Sequence, residues 1–210
     1  MCQGKYLNLG CGPDAVESWV NVDASPTLLF EKIPLLGSLY TKNEFRFPSF
    51  IRYMDLSKGS PFESNSFKGV YSSHALEHMF LDDAIKTLNE CHRILKPGGL
   101  LRIVIPDLNK LVDDYIRDKS VGNTQAHNFN ISAGFAPAIK PSSLVDKISS
   151  YFGNAAHRWL WDYDMLSSTL LEVGFASVRR AEFNDSIDPK YNEVERYNRW
   201  DGCLGVEASK

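Results

Sequence analysis

The residues able to do chemistry are spaced along the chain at intervals that suit the ends of successive secondary-structure elements. They are the turn Gly10-Cys11-Gly12 with Asp14, the carboxylates Asp23 and Asp55, the pair Ser73-His74, and later Asp107 and His157. Glycines in such a turn let backbone approach a ligand where a Cβ would collide. Asp14 and the turn amides suit a charged, polar group, although three residues alone also read as a tight turn with no ligand. Asp23 stands where a carboxylate accepts both hydroxyls of a ribose. Asp55 stands where one accepts the exocyclic amine of adenine. Each acid taken singly also reads as a surface cap; three such features at one end of successive strands are harder to obtain by chance.

The groups that could move a proton are fewer. His74 follows a strand end, and reads either as a base beside the crevice or as a ring packed against a backbone carbonyl. His78 lies about one helical turn later. That pair suits a metal, but no third ligand is evident in the sequence, so no metal is expected. Asp107, after Pro106, either orients a substrate or caps the helix that begins at Leu108. His157 falls in the expected cap and is a candidate substrate contact. His92 reads as a solvated or capping helix residue, and His127 as a loop residue. Tyr151, Phe152, Trp159, Trp161 and Tyr163 either line an acceptor pocket or form the core of the cap.

These residues need strands and helices to hold them. Tyr6 to Leu9, Trp19 to Asp23, Ile51 to Asp55 and Gly69 to Ser73 read as short strands. From Leu81 to Leu95 the apolar residues recur at helical spacing, and Lys96-Pro97-Gly98-Gly99 is expected to stop that helix. Leu100 to Ile105 is an apolar run interrupted only by Arg102, as in a strand buried on both faces. Helices follow at Leu108–Ile116 and Tyr163–Val173, then strands at Val178–Phe183 and Leu204–Ala208, joined by the polar, aromatic segment Asn184–Asp201. Residues 26–50 read as a small helix with an irregular flap. Residues 118–161 are too long for a structureless loop, so short helices and a functional cap are expected there. Strand alternating with helix predicts an α/β, doubly wound, mostly parallel sheet whose ligands sit outside the C-terminal strand ends.

Bulk properties narrow the partners. A chain of 210 residues suits one domain. The net charge of −3 and the lack of a basic run argue against an extended nucleic-acid surface or an anionic membrane. Cys2, Cys11, Cys91 and Cys203 form no C-x-x-C pair, which suits reduced thiols. The start Met1-Cys2-Gln3-Gly4-Lys5 lacks a signal-peptide core, and no apolar stretch is long enough to cross a bilayer. A cytoplasmic location is expected.

The chain resembles the class I S-adenosylmethionine (SAM)-dependent methyltransferases, within them the small proteins of the type 11 group. The resemblance rests on Leu7-Asn8-Leu9-Gly10-Cys11-Gly12, Trp19-Val20-Asn21-Val22-Asp23, Met54-Asp55-Leu56, Pro61-Phe62 and Ser66-Phe67. It continues through Ser73-His74-Ala75-Leu76-Glu77-His78, Glu90-Cys91-His92-Arg93-Ile94-Leu95-Lys96-Pro97-Gly98-Gly99, Ile105-Pro106-Asp107-Leu108 and Glu172-Val173-Gly174-Phe175. It implies a Rossmann-like fold of seven strands with the last one antiparallel, and SAM as cofactor. Gly10 and Gly12, with Cys11 between them, would line the methionine portion, Asp23 the ribose, and Asp55 with Leu56 the adenine. Ser73 and His74 would border the sulfonium, and Pro97-Gly98-Gly99 would be structural. Two departures stand out: the link from Gly12 to Asp23 is too short for the usual helix, and Lys68 occupies a position that is often Asp.

The implied reaction is an in-line displacement in which the protein aligns the acceptor and excludes water. A base matters only if the acceptor begins as a neutral hydroxyl or an ammonium. The expected acceptor is a small molecule, with a sugar or glycan precursor first by analogy. Two other functions compete: a SAM-binding protein without catalysis, and a nicotinamide oxidoreductase. The latter is disfavoured because Pro13 and Asp14 follow Gly12 and break the G-x-G-x-x-G register.

Overall fold

A computed structural model describes residues 5–35, 37, 46–117, 125–135 and 156–210. Its centre is a seven-stranded sheet of order β3-β2-β1-β4-β5-β7-β6. The strands are β1 (Lys5–Leu9), β2 (Val20–Asp23), β3 (Arg52–Tyr53), β4 (Phe67–Ser73), β5 (Leu95–Pro106), β6 (Ser177–Ala181) and β7 (Cys203–Ser209). Strands β1 to β5 pair in parallel, and β7 runs antiparallel between β5 and β6. This is the mixed Rossmann-like sheet that the resemblance implies.

Side chains alternate across the pleat and divide the core in two. Leu7, Leu9, Val70, Leu101, Ile103 and Ile105 point to the larger cluster. Helix α2 (Leu81–Ile94) covers this face with Ala84, Leu88, Cys91 and Ile94, and α5 (Tyr163–Val173) with Leu166 and Leu170. The termini of α5 follow capping chemistry. Asp162 accepts a hydrogen bond from the Met165 amide at 2.8 Å, and Gly174 closes the helix in a left-handed conformation.

The opposite face is built differently. Trp19, Tyr71, Leu100, Val104, Ala181, Tyr191 and Trp200 form its cluster. No helix lies between the glycine turn and β2, as the short link requires. The segment after β6 folds back over the exposed strands instead. It carries a short 3-10 helix, Pro189–Glu193, and the helical turn α6 (Tyr197–Trp200). The Tyr191 hydroxyl donates to the Leu100 carbonyl at 2.6 Å, and Tyr6 donates to Asp188 at 2.6 Å. A stretch that reads as a polar connector therefore seals half the sheet.

Arg102, the interruption in β5, is fully buried on this side. Its guanidinium pairs with Glu195, Glu207 (3.2 Å) and Asp185 (2.9 Å), and stacks 4.6 Å from the Trp200 ring centroid. A buried cation needs such partners, since desolvation without them is prohibitive.

Several boundaries move. β5 starts at Leu95, so the Lys96-Pro97-Gly98-Gly99 stop lies inside the span of the strand as a register shift: Leu95 pairs with Phe67, but Leu100 pairs with Gly69. β3 keeps two residues of the expected five. Helix α1 (Pro26–Glu31) supplies the small helix of the 26–50 region, with residues 36 and 38–45 outside the described part. Within the expected cap, α4 (Gln125–Ser132) is helical and residues 156–161 are described; 118–124 and 136–155, including Tyr151 and Phe152, are not. His127 lies on α4, exposed, and not in a loop. Lys68 is exposed.

Candidate active site

Parallel pairing brings the chemistry-bearing residues level with one another. Leu9 is opposite Val22 on one side and Ser72 on the other. Gly10, Asp23 and Ser73, each the next residue on, therefore stand side by side at the C-terminal edge. Asp23 pairs with Tyr53, so Asp55 emerges just past the end of β3. The crevice outside this edge is where doubly wound sheets hold ligands.

The glycine turn is pinned by Asp23. One carboxylate oxygen accepts from the Gly12 amide at 3.0 Å and the other from the Ser25 amide at 2.7 Å. Gly10 and Gly12 both have positive φ, +64° and +61°. At Gly10 a Cβ would strike the Ala75 Cβ at 2.5 Å, so this glycine admits the chain after β4; at Gly12 no atom lies within 4 Å of that position. The cradle is thus open at Gly12 and closed at Gly10. Cys11 is buried, and its side chain packs with Leu28 and Ile51. The side chain of Asp14 is 77% exposed and pairs with Arg196 at 3.3 Å, so it faces solvent and does not close on the turn amides.

Asp55 caps the 3-10 turn Leu56–Lys58. Its Oδ1 accepts from the Ser57 amide (3.1 Å) and hydroxyl (2.6 Å), and Lys58 lies 3.0 Å from Oδ2. Burial pushes its pKa up, but Ser57 and Lys58 prevail and hold it below the usual carboxylate value. Leu56 belongs to the main core, which leaves only its backbone to face a ligand. The Ser72 and Ser73 hydroxyls are buried at the end of β4 without a hydrogen bond of ordinary geometry.

His74 occupies a positive-φ position, +53°, which turns the chain sharply out of the strand. Both its ring nitrogens are engaged. Nε2 lies 2.9 Å from the Arg199 carbonyl, and Nδ1 lies 3.2 Å from Glu77 Oε1. Burial alone would lower its pKa; hydrogen bonding with Cys203, Glu77 and Arg199 outweighs burial and raises it to about 10. With both ring nitrogens engaged and its pKa raised, the ring is poorly placed to take a substrate proton.

Asp107 resolves to the capping alternative: Oδ1 accepts from the Asn109 amide at 3.0 Å, at the start of α3 (Leu108–Arg117). Its backbone bridges to Trp161, and the Leu108 amide donates to the Trp161 carbonyl at 3.0 Å. Trp161 is fully buried, a core residue, whereas Trp159 is more than one-third exposed. His92 packs edge-on against Phe175.

The 156–161 segment is laced to the residues after β4. The Arg158 and Trp159 amides both donate to the Glu77 carbonyl, at 2.7 and 3.2 Å. His157 thereby comes to the edge of the crevice beside Glu77 and His78, with the His78 and His157 ring centroids 5.0 Å apart. The sequence offers no third partner for the His74–His78 pair; the fold supplies a different trio, Glu77, His78 and His157. Glu77 was the residue missed. Its one local signal is its place between two histidines, and its separation from His157 hides the rest.

A methyltransferase-domain family model matches residues 7–103, from β1 into β5. Among solved structures, a SAM-dependent methyltransferase from Thermotoga maritima aligns over 100% of this chain and 84% of its own, at 17% identity and a TM-score of 0.51. One from Mesorhizobium loti aligns over 98% and 90%, at 17% identity and TM-score 0.51. One from Archaeoglobus fulgidus aligns over 99% and 86%, at 14% identity and TM-score 0.50. At these identities the likeness is one of fold.

Proposed function

We propose that this chain is a class I SAM-dependent methyltransferase and that it methylates a small-molecule acceptor held between the end of β4 and the 156–161 segment. The observation that carries this reading is the alignment of Gly12, Asp23, Asp55 and Ser73 along one sheet edge, within the matched domain.

The residues present fit SAM. Gly12 leaves an open cradle, Asp23 and Asp55 offer carboxylates to hydroxyl and amine donors, and the Ser73 hydroxyl is buried without a hydrogen bond of ordinary geometry. Gly10, Cys11 and Gly12 would hold the amino-acid portion by backbone, Asp23 the ribose, and Asp55 with the Leu56 backbone the adenine. SAM supplies an electrophilic methyl on a sulfonium that is already a good leaving group. The protein's task is alignment and exclusion of water. His74 serves as a positioning residue: its Nδ1 stands against the Glu77 carboxylate and its Nε2 ties the end of β4 to the Arg199 carbonyl. With His74 so engaged and Asp107 capping α3, removal of an acceptor proton falls to the Glu77–His78–His157 group.

A sugar or glycan precursor is the acceptor class we favour. Trp159 is a partly exposed aromatic whose amide is bound to the Glu77 carbonyl, and an indole face suits a sugar ring. A cytoplasmic setting agrees with the free thiols of Cys11, Cys91 and Cys203. No helix among the described residues is long and apolar enough to cross a membrane.

Calorimetric titration with SAM and with S-adenosylhomocysteine, with NAD as control, tests the cofactor half. Transfer of labelled methyl to a panel of sugars and sugar nucleotides tests the acceptor half. Saturable binding of SAM, none of NAD, and label in a sugar fraction are expected. Binding of NAD in place of SAM would overturn the cofactor assignments, and label confined to non-sugar acceptors would overturn the acceptor class.

A further inference from the structure

The geometry points to a divalent transition-metal site, best suited to zinc, formed by Glu77, His78 and His157 at the acceptor side of the crevice. Each offers one ligand atom, and these atoms lie within 4.8 Å of one another. Bonds of about 2.0–2.2 Å would place tetrahedral ligands about 3.4 Å apart, so a shift of roughly an ångström closes the set. Two imidazoles and one carboxylate with a position left open is the donor set of a catalytic rather than a structural zinc.

Three features favour a cation here. First, Glu77 is 1% exposed, yet neither carboxylate oxygen makes a hydrogen bond of ordinary geometry. A buried carboxylate left so is costly. His74 Nδ1 stands 3.2 Å from Oε1, which leaves Oε2 open to a cation. Second, both histidines are held with a lone pair available. His78 directs Nδ1 at the Ala156 carbonyl at 3.2 Å, which fixes the proton there and frees Nε2. The Ala133 backbone hydrogen-bonds the His157 ring, whose Nδ1 is buried without a partner. Third, the surroundings supply outer supports. Ligating imidazoles and carboxylates are commonly oriented by a carbonyl or a donor behind them. Here these would be the Ala156 carbonyl, the Ala133 backbone and the His74 N–H.

The site's catalytic use rests on the methyl-transfer reading, whereas its metal affinity does not. A metal with an open position beside the methyl donor would bind an acceptor hydroxyl and lower its pKa, so that the oxygen attacks as an alkoxide. The oxygen–methyl bond forms as the carbon–sulfur bond breaks, and the acceptor proton leaves to solvent.

The test is titration of the whole, chelator-stripped protein with Zn²⁺ by calorimetry and with Co²⁺ by visible absorption. One equivalent is expected, with a Co²⁺ spectrum typical of nitrogen and oxygen ligands. His78→Gln and His157→Gln should each weaken binding at least about 100-fold, the upper end of what loss of an outer support alone costs. Cys203→Ser, which removes the thiol 3.6 Å from His74 Nε2, and His92→Gln should leave it unchanged. Absence of saturable binding would overturn the site. So would binding that survives both His78→Gln and His157→Gln, or binding that disappears with Cys203→Ser. Glu77→Gln is informative only if it folds; the two histidine variants, on half-buried rings, decide without it. SAM titration of the same metal-free samples separates the two readings, because failure to bind SAM would strike the cofactor site while leaving the metal result standing.

Discussion

Replacing Arg102 with Met tests the account of the second core. The guanidinium is fully buried and pairs with Glu195, Glu207 and Asp185. Their fates differ once it is gone. Glu207 keeps Arg179, 2.6 Å away, and Asp185 is partly exposed and also keeps Arg179, at 2.7 Å. Glu195 is left with the Asn184 amide at 2.6 Å, and its side chain is wholly buried. One stranded charge, and not three, sets the cost. Breaking a buried pair from one side costs about 3–5 kcal/mol. For a chain of this size, each kcal/mol lowers the melting temperature by about 2–4 °C. Arg102→Met should therefore melt about 6–20 °C lower, with a matching fall in the urea midpoint. Arg102→Met/Glu195→Gln should recover at least about half of that loss, because a neutral amide can still accept from Asn184 and the stranded buried charge is gone. A loss below about 1 kcal/mol for the single variant, or a double variant less stable than the single, would refute the reasoning.

Three further outcomes are expected. Asp55→Ala removes a carboxylate from the crevice and the cap of a short turn; SAM affinity should drop about tenfold or more by calorimetry, with about 1 kcal/mol lost in urea unfolding. Gly134→Ala places a Cβ 2.6 Å from His157 Nδ1 at a φ of +65°; it should cost about 1–3 kcal/mol and abolish Zn²⁺ binding while leaving SAM binding intact. The folded-state pKa of His74, about 10 against an ordinary 6.5, is raised. Its contribution to stability is thus fully present below about pH 6.5 and is lost as pH rises through about 10. His74→Gln should flatten that part of the stability–pH profile, measured by urea unfolding at pH 6, 8 and 10; an unchanged slope would mean the imidazolium is not held by Glu77 and Arg199.

What the sequence discloses follows the range of the interactions involved. Helix α5 reads correctly to the residue because its caps, Asp162 and Gly174, are local. The strands read to within a few residues because their apolar runs are local too, and parallel pairing brings Gly10, Asp23 and Ser73 level because it aligns strand ends. The start of β5 misleads, since Pro97 and Gly98 stop a helix without stopping a strand that can absorb them as a register shift. Asp14 and Leu56 sit in motif positions, yet Arg196 and the core claim their side chains. The remaining misses are long-range. Arg102 with Glu195 and Glu77 with His157 join residues 93 and 80 positions apart, and nothing in either neighbourhood announces the partner.

The segment that replaces the missing helix also has a consequence for how the chain acquires its fold. Tyr6 on β1 binds Asp188, 182 residues later, and Trp19 waits for Tyr191 to cover it. During synthesis the early strands emerge with one apolar face unsealed, and remain so until the stretch around residues 188–200 has left the ribosome. Contacts of such separation slow folding, and an open sheet face is a site for aggregation in the interval. Proteins with a helix after the first strand can cover that face within a few dozen residues. This chain defers the step until residues 188–200 have been made, so its early strands should depend heavily on chaperones in the interval.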